Sequence, residues 1–342
     1  MRRSLMVCLL AWYLAAPGSS PQGAEVYADW TGVFNVGAPV NTADYNDTYA
    51  ILSRDELTMY FTSDRPGGVP GPGGVRNYDL WLTTRASLDD PWETPTNLSA
   101  LNTGAEDSLA VLSSDEHVMF FHSTRSGGCG AGDIWMTRRH DRRSPDWDPP
   151  VNLGCVETGG TVNTGATEIA PALFENPRGG QVTLFYGSNR PGPPKDLDVY
   201  ASVVGEDGYF RPGELVREFS SAARDTRIFI RRDGLEAFIT SDRPNGQGLI
   251  DIWTSTRESL SDLWPPTSID VPSPVNGVCD DGSPWLSRDG MKLYFFSTRT
   301  SGLQCGTRDI WYATREKLKQ ESAIQAMVGR FNRMVGRLTG DH

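Results

Sequence analysis

The chain has 342 residues, enough for one large domain or two ordinary ones, and 38% of them are hydrophobic. With 10% aromatic and 22% charged residues, the composition is that of a folded protein and excludes a largely disordered chain. The 43 acidic residues outnumber the 32 lysines and arginines and give a net charge of −11, which argues against nucleic acid or an anionic membrane surface as partner.

The first 24 residues have the order of a secretory signal peptide. A basic pair at positions 2 and 3 precedes an apolar run at 5–16, and small and turn residues follow. The run is short for a bilayer span, and no second hydrophobic stretch follows it. We therefore expect a signal peptide at 1–24, a secreted or periplasmic protein, and no membrane span.

One sequence pattern then occurs five times, at spacings of 53 to 65 residues. Each copy has an aromatic-rich strand that ends in Ser-x-Arg, a Gly- or Pro-rich loop, and a third strand that begins with Asp, an aliphatic residue and an aromatic residue. The landmark arginines are Arg65, Arg125, Arg190, Arg243 and Arg299. A fourth segment, led by an aromatic residue and prolines, follows in the first four copies. The fifth copy lacks it, and a matching segment follows Trp30 near the N-terminus.

These copies predict an all-β fold, a five-bladed β-propeller of four-stranded antiparallel blades. One such sheet cannot bury both its faces alone, whereas stacking the copies around an axis buries them and hides most strand edges. The predicted propeller spans 25–317, with blades at about 43–100, 103–154, 163–217, 221–271 and 276–317. The N-terminal segment at 28–41 closes the last blade. A six-bladed ring with one eroded copy is the alternative.

Beyond the propeller, residues 318–342 change to a helical period. Leu318, Ile324, Phe331 and Leu338 fall near one stripe of such a helix. We expect a C-terminal helix there, which either packs on the propeller or binds a partner.

The fifth copy, LSRDGMKLYFFSTRTSGLQCGTRDIW, shows the pattern in full: a Ser-x-Asp-Gly turn, a strand, Ser-x-Arg and then Asp-Ile-Trp. This pattern resembles the WD40-like β-propeller repeat of TolB and its exported relatives, over about 30–315 of the chain. The resemblance implies the propeller fold. It leaves the function open, because the relatives include periplasmic partner-binding proteins, modules joined to peptidoglycan-binding domains, and propellers attached to peptidases.

One acid precedes the first strand of every copy, and these acids are Asp47, Asp107, Glu168, Asp225 and Asp281. First strands line the axis of a propeller, so we predict that the five carboxylates crowd one mouth of the central channel and bind a ligand there. Like charges raise each other's pKa, so Ca²⁺ or Na⁺ on the axis, backbone amides or water must compensate them. Hydrogen bonding of each acid to loop amides of its own or the next blade is the structural alternative.

From this acidic mouth we expect an exported, non-catalytic binding or protein-interaction module that holds a protein partner or a glycan. We expect it to be a monomer. The alternative is a glycoside hydrolase, because Asp, Asp and Glu in blades 1 to 3 resemble the three acids of five-bladed arabinanase- and levansucrase-type glycosidases. That resemblance implies Asp47 as base or nucleophile, Asp107 as the residue that tunes the pKa and orients the sugar, and Glu168 as acid.

A group found in every copy is first expected to hold the blade together, since a catalytic group is usually needed once. Each landmark arginine is therefore expected to pair with the aspartate that opens the third strand, such as Arg65 with Asp79 and Arg299 with Asp309.

The cysteines indicate a disulfide framework. Cys8 belongs to the expected signal peptide, and four cysteines remain in a protein destined for an oxidising compartment. Two lie in loops between second and third strands and two in connections between blades, and these loops share one face of a propeller. We predict the bridges Cys129–Cys155 and Cys279–Cys305.

Overall fold

The structure, a computed structural model, describes residues 25–191, 196–265, 268–300 and 304–318. The predicted signal peptide at 1–24, and the predicted helix at 318–342 apart from its first residue, lie outside these ranges. Twenty strands form five four-stranded antiparallel sheets, and two short 3₁₀ turns lie at Pro72–Gly74 and Val156–Thr158. The sheets are arranged in a ring, which confirms the five-bladed propeller over the six-bladed alternative.

The blades share one strand order. Their first strands are β2 (Asp47–Leu52), β6 (Asp107–Leu112), β10 (Glu168–Glu175), β14 (Asp225–Ile230) and β18 (Asp281–Leu286). Their second strands are β3 (Thr58–Ser63), β7 (Val118–Ser123), β11 (Val182–Ser188), β15 (Glu236–Ser241) and β19 (Lys292–Ser297). Their third strands are β4 (Asp79–Thr84), β8 (Asp133–Arg138), β12 (Asp198–Val203), β16 (Asp251–Thr256) and β20 (Asp309–Thr314). The fourth strands are β5 (Thr96–Asn97), β9 (Val151–Asn152), β13 (Glu214–Leu215), β17 (Ile269–Asp270) and, for blade 5, β1 (Thr31–Asn35).

The second strands form the buried centre of each blade. In β3, β7 and β19 every residue after the first is buried, and in β15 all six are. Neighbouring blades cover both faces of these strands, so they read as continuous apolar and aromatic runs and lack a polar alternation. The four short fourth strands, by contrast, each begin with an exposed residue at the rim.

The N-terminal strand closes the ring. β1 pairs antiparallel with β20, from Thr31 opposite Thr314 to Asn35 opposite Trp311. The adjacent Trp30 is 9% exposed and packs edge-on against Phe238 of blade 4, with ring centroids 6.3 Å apart. The predicted closure by the N-terminal segment is therefore confirmed.

The hydrophobic core is divided among the five boundaries between blades. Each buried cluster takes residues from two neighbouring blades, as where Tyr60 and Leu80 of blade 1 meet Met119 and Phe121 of blade 2. The other four clusters join blades 2 and 3, 3 and 4, 4 and 5, and 5 and 1. Because every sheet needs a neighbour on each side to bury its faces, the ring is stable only when it is closed.

Both predicted disulfides are present. Cys129 is bonded to Cys155 and Cys279 to Cys305, each pair 26 residues apart in sequence. Within the described ranges, no helix is long and apolar enough to cross a membrane. The two bridges are consistent with a secreted or periplasmic protein.

Candidate functional site

The five predicted acids lie inside the blades, and none has exposed surface. In blade 1, Asp47 Oδ1 accepts hydrogen bonds from Ser63 Oγ at 2.6 Å and from Arg65 Nη2 at 2.5 Å. Its Oδ2 accepts from the amide of Thr42 at 2.6 Å and from the hydroxyl of the same residue at 2.7 Å. These four donors satisfy the carboxylate, which can accept about four hydrogen bonds.

The arrangement recurs around the ring, and we call it the blade latch: the acid, the serine opposite it in the second strand, and the landmark arginine. The ion pairs are Arg65–Asp47 and Arg125–Asp107 at 2.5 Å, Arg190–Glu168 at 3.2 Å, Arg299–Asp281 at 2.6 Å, and Arg243–Asp225. Each guanidinium also packs on the aromatic residue of the third strand, 4.4 to 5.5 Å from the ring centroid. Every latch therefore joins the first three strands of its blade.

Two predictions are wrong at this point. The acids do not crowd the channel mouth, because each is covered within its own latch. The landmark arginines do not pair with the third-strand aspartates either; Asp79 instead accepts hydrogen bonds from the Val69 amide at 2.6 Å and from Asn97 Nδ2 at 2.9 Å. The reason is strand register, since Asp47 lies directly opposite Ser63 and the arginine two residues later reaches it.

The latch also bears on the predicted ligands of the acids. The predicted axial Ca²⁺ or Na⁺ was needed to compensate five carboxylates, and the arginines supply that charge. Among the described residues no group of three or more His, Cys, Asp or Glu side chains is placed to hold a metal ion. Ligand binding by the five acids, and the catalytic roles of Asp47, Asp107 and Glu168, stay predictions that these contacts do not support.

A cavity of about 110 Å³ lies where the first strands surround the propeller axis. First strands of neighbouring blades touch all round the ring, and each contributes the residue two positions after its latch acid to the cavity wall. These five residues are Tyr49, Leu109, Ala170, Arg227 and Ser283. We call them the axial residues. The axial residue differs in every blade, although the latch two positions earlier is nearly the same in all five.

The backbone is strained at this position in four blades. Tyr49, Leu109, Ala170 and Ser283 have φ angles between 54° and 58°, in the left-handed region. The pairing between the first and second strands shifts its register there. Such conformations are unfavourable for residues with a Cβ, and they cluster at ligand and active sites. The cavity wall is therefore a place to look for function.

Arg227 is the charged axial residue. It is 2% exposed, and its Nε and Nη1 have no hydrogen-bond partner among the described residues. Burial lowers the pKa of its guanidinium to about 10, because desolvation disfavours the charged form. Its guanidinium carbon lies 5.9 Å from the ring centroid of Tyr49.

Blade 3 lacks the fourth-strand asparagine that donates a hydrogen bond to the third-strand aspartate in blades 1, 2 and 5. In blades 1, 2 and 5 an asparagine of the fourth strand donates to this aspartate, as Asn97 does to Asp79. Blade 3 has Leu215 at this position, opposite Tyr200 in the strand pairing. A leucine offers no donor, so the aspartate of blade 3 loses that hydrogen bond.

The aspartate concerned, Asp198, is 2% exposed, and its Oδ1 has no hydrogen-bond partner in the part of the chain that the structure describes. Burial, together with the nearby charges of Asp225 and Asp196, raises the pKa of Asp198 to about 6. It therefore exchanges its proton close to neutral pH.

Asp198 stands beside the mouth of the cavity. Leu197, the residue before it, belongs to the cavity wall together with Arg224 and Asp242. Arg224 Nε lies 3.7 Å from Asp196 Oδ1, and the Arg224 amide donates to Asp242 Oδ1 at 2.8 Å. Asp242 is exposed, so this part of the mouth, between blades 3 and 4, offers an accessible carboxylate.

Sequence reasoning missed Arg227 and Asp198, although each left a signal. Arg227 is a charged residue inside a first strand, where the other copies have tyrosine, leucine, alanine or serine. Asp198 is the third-strand aspartate of the copy whose fourth segment has Leu215 in place of asparagine or aspartate. Both signals are departures from the repeat, whereas the predicted site consists of residues that all five copies share.

No protein-family profile and no curated protein matches this sequence. Solved structures do. A complex of BT0996 and RGII matches with a TM-score of 0.57 and 12% identity, over 83% of this protein and 92% of that one. An α-L-arabinofuranosidase from Lactobacillus brevis matches with a TM-score of 0.51 and 9% identity, over 82% and 94%. A thermostable family-43 glycoside hydrolase matches with a TM-score of 0.50 and 11% identity, over 84% and 93%.

These likenesses show the fold. A TolB-type protein from Agrobacterium tumefaciens also matches, but at a TM-score of 0.43, and the specific repeat family is not shown. The α-L-arabinofuranosidase and the family-43 enzyme are glycoside hydrolases. The prediction of a non-catalytic binding module acting through an acidic mouth is therefore wrong on two grounds: the mouth is not built from the five acids, and these neighbours favour the alternative prediction, a glycoside hydrolase.

Proposed function

We propose that this protein is a glycoside hydrolase that works at the mouth of the axial cavity, between blades 3 and 4. Asp198 donates the proton to the leaving-group oxygen, and Asp242 is the second carboxylate, acting as base or nucleophile. Glycoside hydrolysis needs two such groups, one protonated and one ionised, on opposite sides of the scissile bond.

The observation that carries the proposal is that blade 3 has Leu215, which offers no donor, where blades 1, 2 and 5 have an asparagine that donates to the third-strand aspartate. A carboxyl group with its pKa near 6 holds a proton for a useful fraction of the time at mildly acidic pH and can still release it. In blade 1 burial also raises the pKa of the equivalent Asp79, but hydrogen bonds from the Val69 amide and from Asn97 oppose that shift. Blade 3 thus departs from a structural motif in the way that a proton donor requires.

The surroundings of Asp198 agree with this role. Asp242 lines the cavity and is exposed, so a sugar entering the mouth can reach its carboxylate. Axial residues carry no carboxylate, which is why the chemistry is assigned to the mouth. The shared fold with an α-L-arabinofuranosidase and a family-43 glycoside hydrolase adds support, and makes polysaccharides that carry α-L-arabinofuranose the first substrates to test.

The test is release of reducing sugar from a panel of plant and bacterial polysaccharides. We expect Asp198→Asn and Asp242→Asn to lower the rate by about 100-fold or more, because loss of a general acid or base typically has an effect of that size. Asp79→Asn is the matched control: it makes the same change at the same strand position in blade 1 and is expected to keep the activity. Absence of sugar release across the whole panel would contradict the proposal.

A second variant tests the role of Leu215. Leu215→Asn restores the donor that blades 1, 2 and 5 possess, so it stabilises the ionised Asp198 and lowers its pKa. Because the donor must be protonated, activity falls as pH rises through this pKa, and the variant's alkaline limb should move to lower pH. An unchanged pH profile of kcat/KM in an active variant would remove Asp198 from the role of acid.

A further inference from the structure

We propose that Arg227 binds the carboxylate group of an acidic sugar in the axial cavity. That the ligand is a sugar rests on the proposed function; that the site binds a carboxylate rests on Arg227 and on the other residues of the cavity wall.

Arg227 differs from the other buried arginines. Arg139, 6% exposed, donates to the Glu116 carbonyl oxygen at 2.7 Å and to the Tyr60 hydroxyl at 2.9 Å. Arg315, also 6% exposed, donates with both terminal nitrogens to Glu236, at 2.9 and 2.7 Å. Arg227 is more deeply buried than either and leaves Nε and Nη1 unpaired among the described residues. A buried guanidinium without an acceptor is unfavourable, so the site is complete only when an anion is bound.

The charge of the cavity wall favours the same class of ligand. Three arginines line it, Arg224, Arg227 and Arg308, against one carboxylate, Asp242. Arg224 has Asp196 beside it, and Arg308 stacks over Phe296 at 4.7 Å. The cavity is therefore positively charged inside a protein whose net charge is −11, and it attracts anions that the rest of the surface repels.

A carboxylate suits this site among small anions. A guanidinium offers parallel N–H donors that match the two oxygens of a carboxylate, from Nε with Nη2 along one edge and from Nη1 with Nη2 along another. Ser283 Oγ, in the same wall and without a partner among the described residues, is a further donor. The wall also contains Leu109, Ala170 and Ile169, which suit the apolar face of a sugar ring beside the charged group. Uronic acids combine these features.

The experiment measures binding of galacturonate by calorimetry, with galactose as its neutral counterpart and acetate and inorganic phosphate as small anions. Wild-type protein should bind galacturonate at least tenfold more tightly than galactose, acetate or phosphate. Arg227→Met should lose at least tenfold in affinity, while Arg211→Met, a change at an exposed arginine paired with Asp207, should not. Arg227→Lys keeps the positive charge but lacks the parallel N–H donors of the guanidinium, and it should bind galacturonate with intermediate affinity.

Equal affinity for galacturonate and galactose, or an Arg227→Met variant that is folded by near-ultraviolet circular dichroism and binds as wild type, would overturn the proposal. Acetate or phosphate binding as tightly as galacturonate would overturn the assignment to an acidic sugar. Repeating the titration with Asp198→Asn separates this proposal from the proposed hydrolysis, because binding should persist in that variant even if no polysaccharide is cleaved.

Discussion

Two positions in each first strand, only two residues apart, behave in opposite ways. The latch acid is carboxylate in all five blades and always meets a serine and an arginine, as Asp47 meets Ser63 and Arg65. The axial residue is different in every blade. A group required for the stability of each sheet must recur in each sheet. A ligand on the axis contacts all five blades together, and each blade can supply a different contact. Repetition along this chain therefore marks structure, and departure from it marks the site.

The same contrast separates Asp79 from Asp198. Both open a third strand, and both are buried. Asp79 accepts hydrogen bonds from an amide and an asparagine, whereas blade 3 has Leu215, which offers no donor, at the position of that asparagine. One unrepeated residue in the fourth strand thus removes the donor that stabilises the ionised form of this carboxylate in blades 1, 2 and 5.

The largest expected effect breaks the latch. Arg65→Met should lower the free energy of unfolding by about 3 to 5 kcal/mol, because it leaves the carboxylate of Asp47 buried without its charge partner. Arg227→Met is the contrasting change. It removes a buried guanidinium whose Nε and Nη1 have no hydrogen-bond partner among the described residues, and it should leave stability unchanged or raise it. Urea denaturation followed by tryptophan fluorescence measures the free energy of unfolding of both variants. Equal losses in the two variants would contradict the different roles assigned to latch and axial arginines.

The disulfides sharpen the comparison, because they are unrepeated yet structural. Replacing Cys129 and Cys155 together by serine should lower the free energy of unfolding by about 3 kcal/mol in the loop-entropy view, since the bridge closes a loop of 26 residues. The second bridge, with the same separation, should give a similar loss. Both variants should keep the galacturonate affinity. Loss of binding with the fold intact would place a bridge within the site.

The smallest expected effect concerns pH. The pKa of Asp198 is about 6 in the folded protein against 3.8 as the reference value, so the folded state binds more protons between those pH values and loses stability as pH rises through the window. Asp198→Asn cannot ionise and should be more stable than wild type by about 2 kcal/mol at pH 7.5, yet equal to it near pH 4. Thermal denaturation at both pH values measures this. A variant less stable at pH 7.5 would mean that the carboxylate is satisfied in the folded protein.

Much of the fold could be predicted from the sequence because each blade is encoded by its own copy of the strand and turn motifs. Strand positions, closure by the segment after Trp30 and both disulfides follow from local motifs and their spacing. The latch could not be predicted correctly. Arg65 has two aspartates within reach in sequence terms, and only the register that sets Asp47 opposite Ser63 decides between them. The same register covers each acid with the serine and the arginine of its blade, so burial of the acids could not be predicted either.

By itself, the sequence determined that this protein is a closed ring of five similar sheets, since apolar periodicity and turn residues act within each copy. The tertiary structure decided which groups the ring exposes on its axis and which it covers. That outcome depends on contacts between strands distant in sequence. Among the described residues, these contacts leave Arg227 Nε and Nη1 in the cavity and Asp198 Oδ1 near its mouth without hydrogen-bond partners. Charge burial and hydrogen-bond satisfaction are properties of such contacts, so they appear only when the blades have assembled.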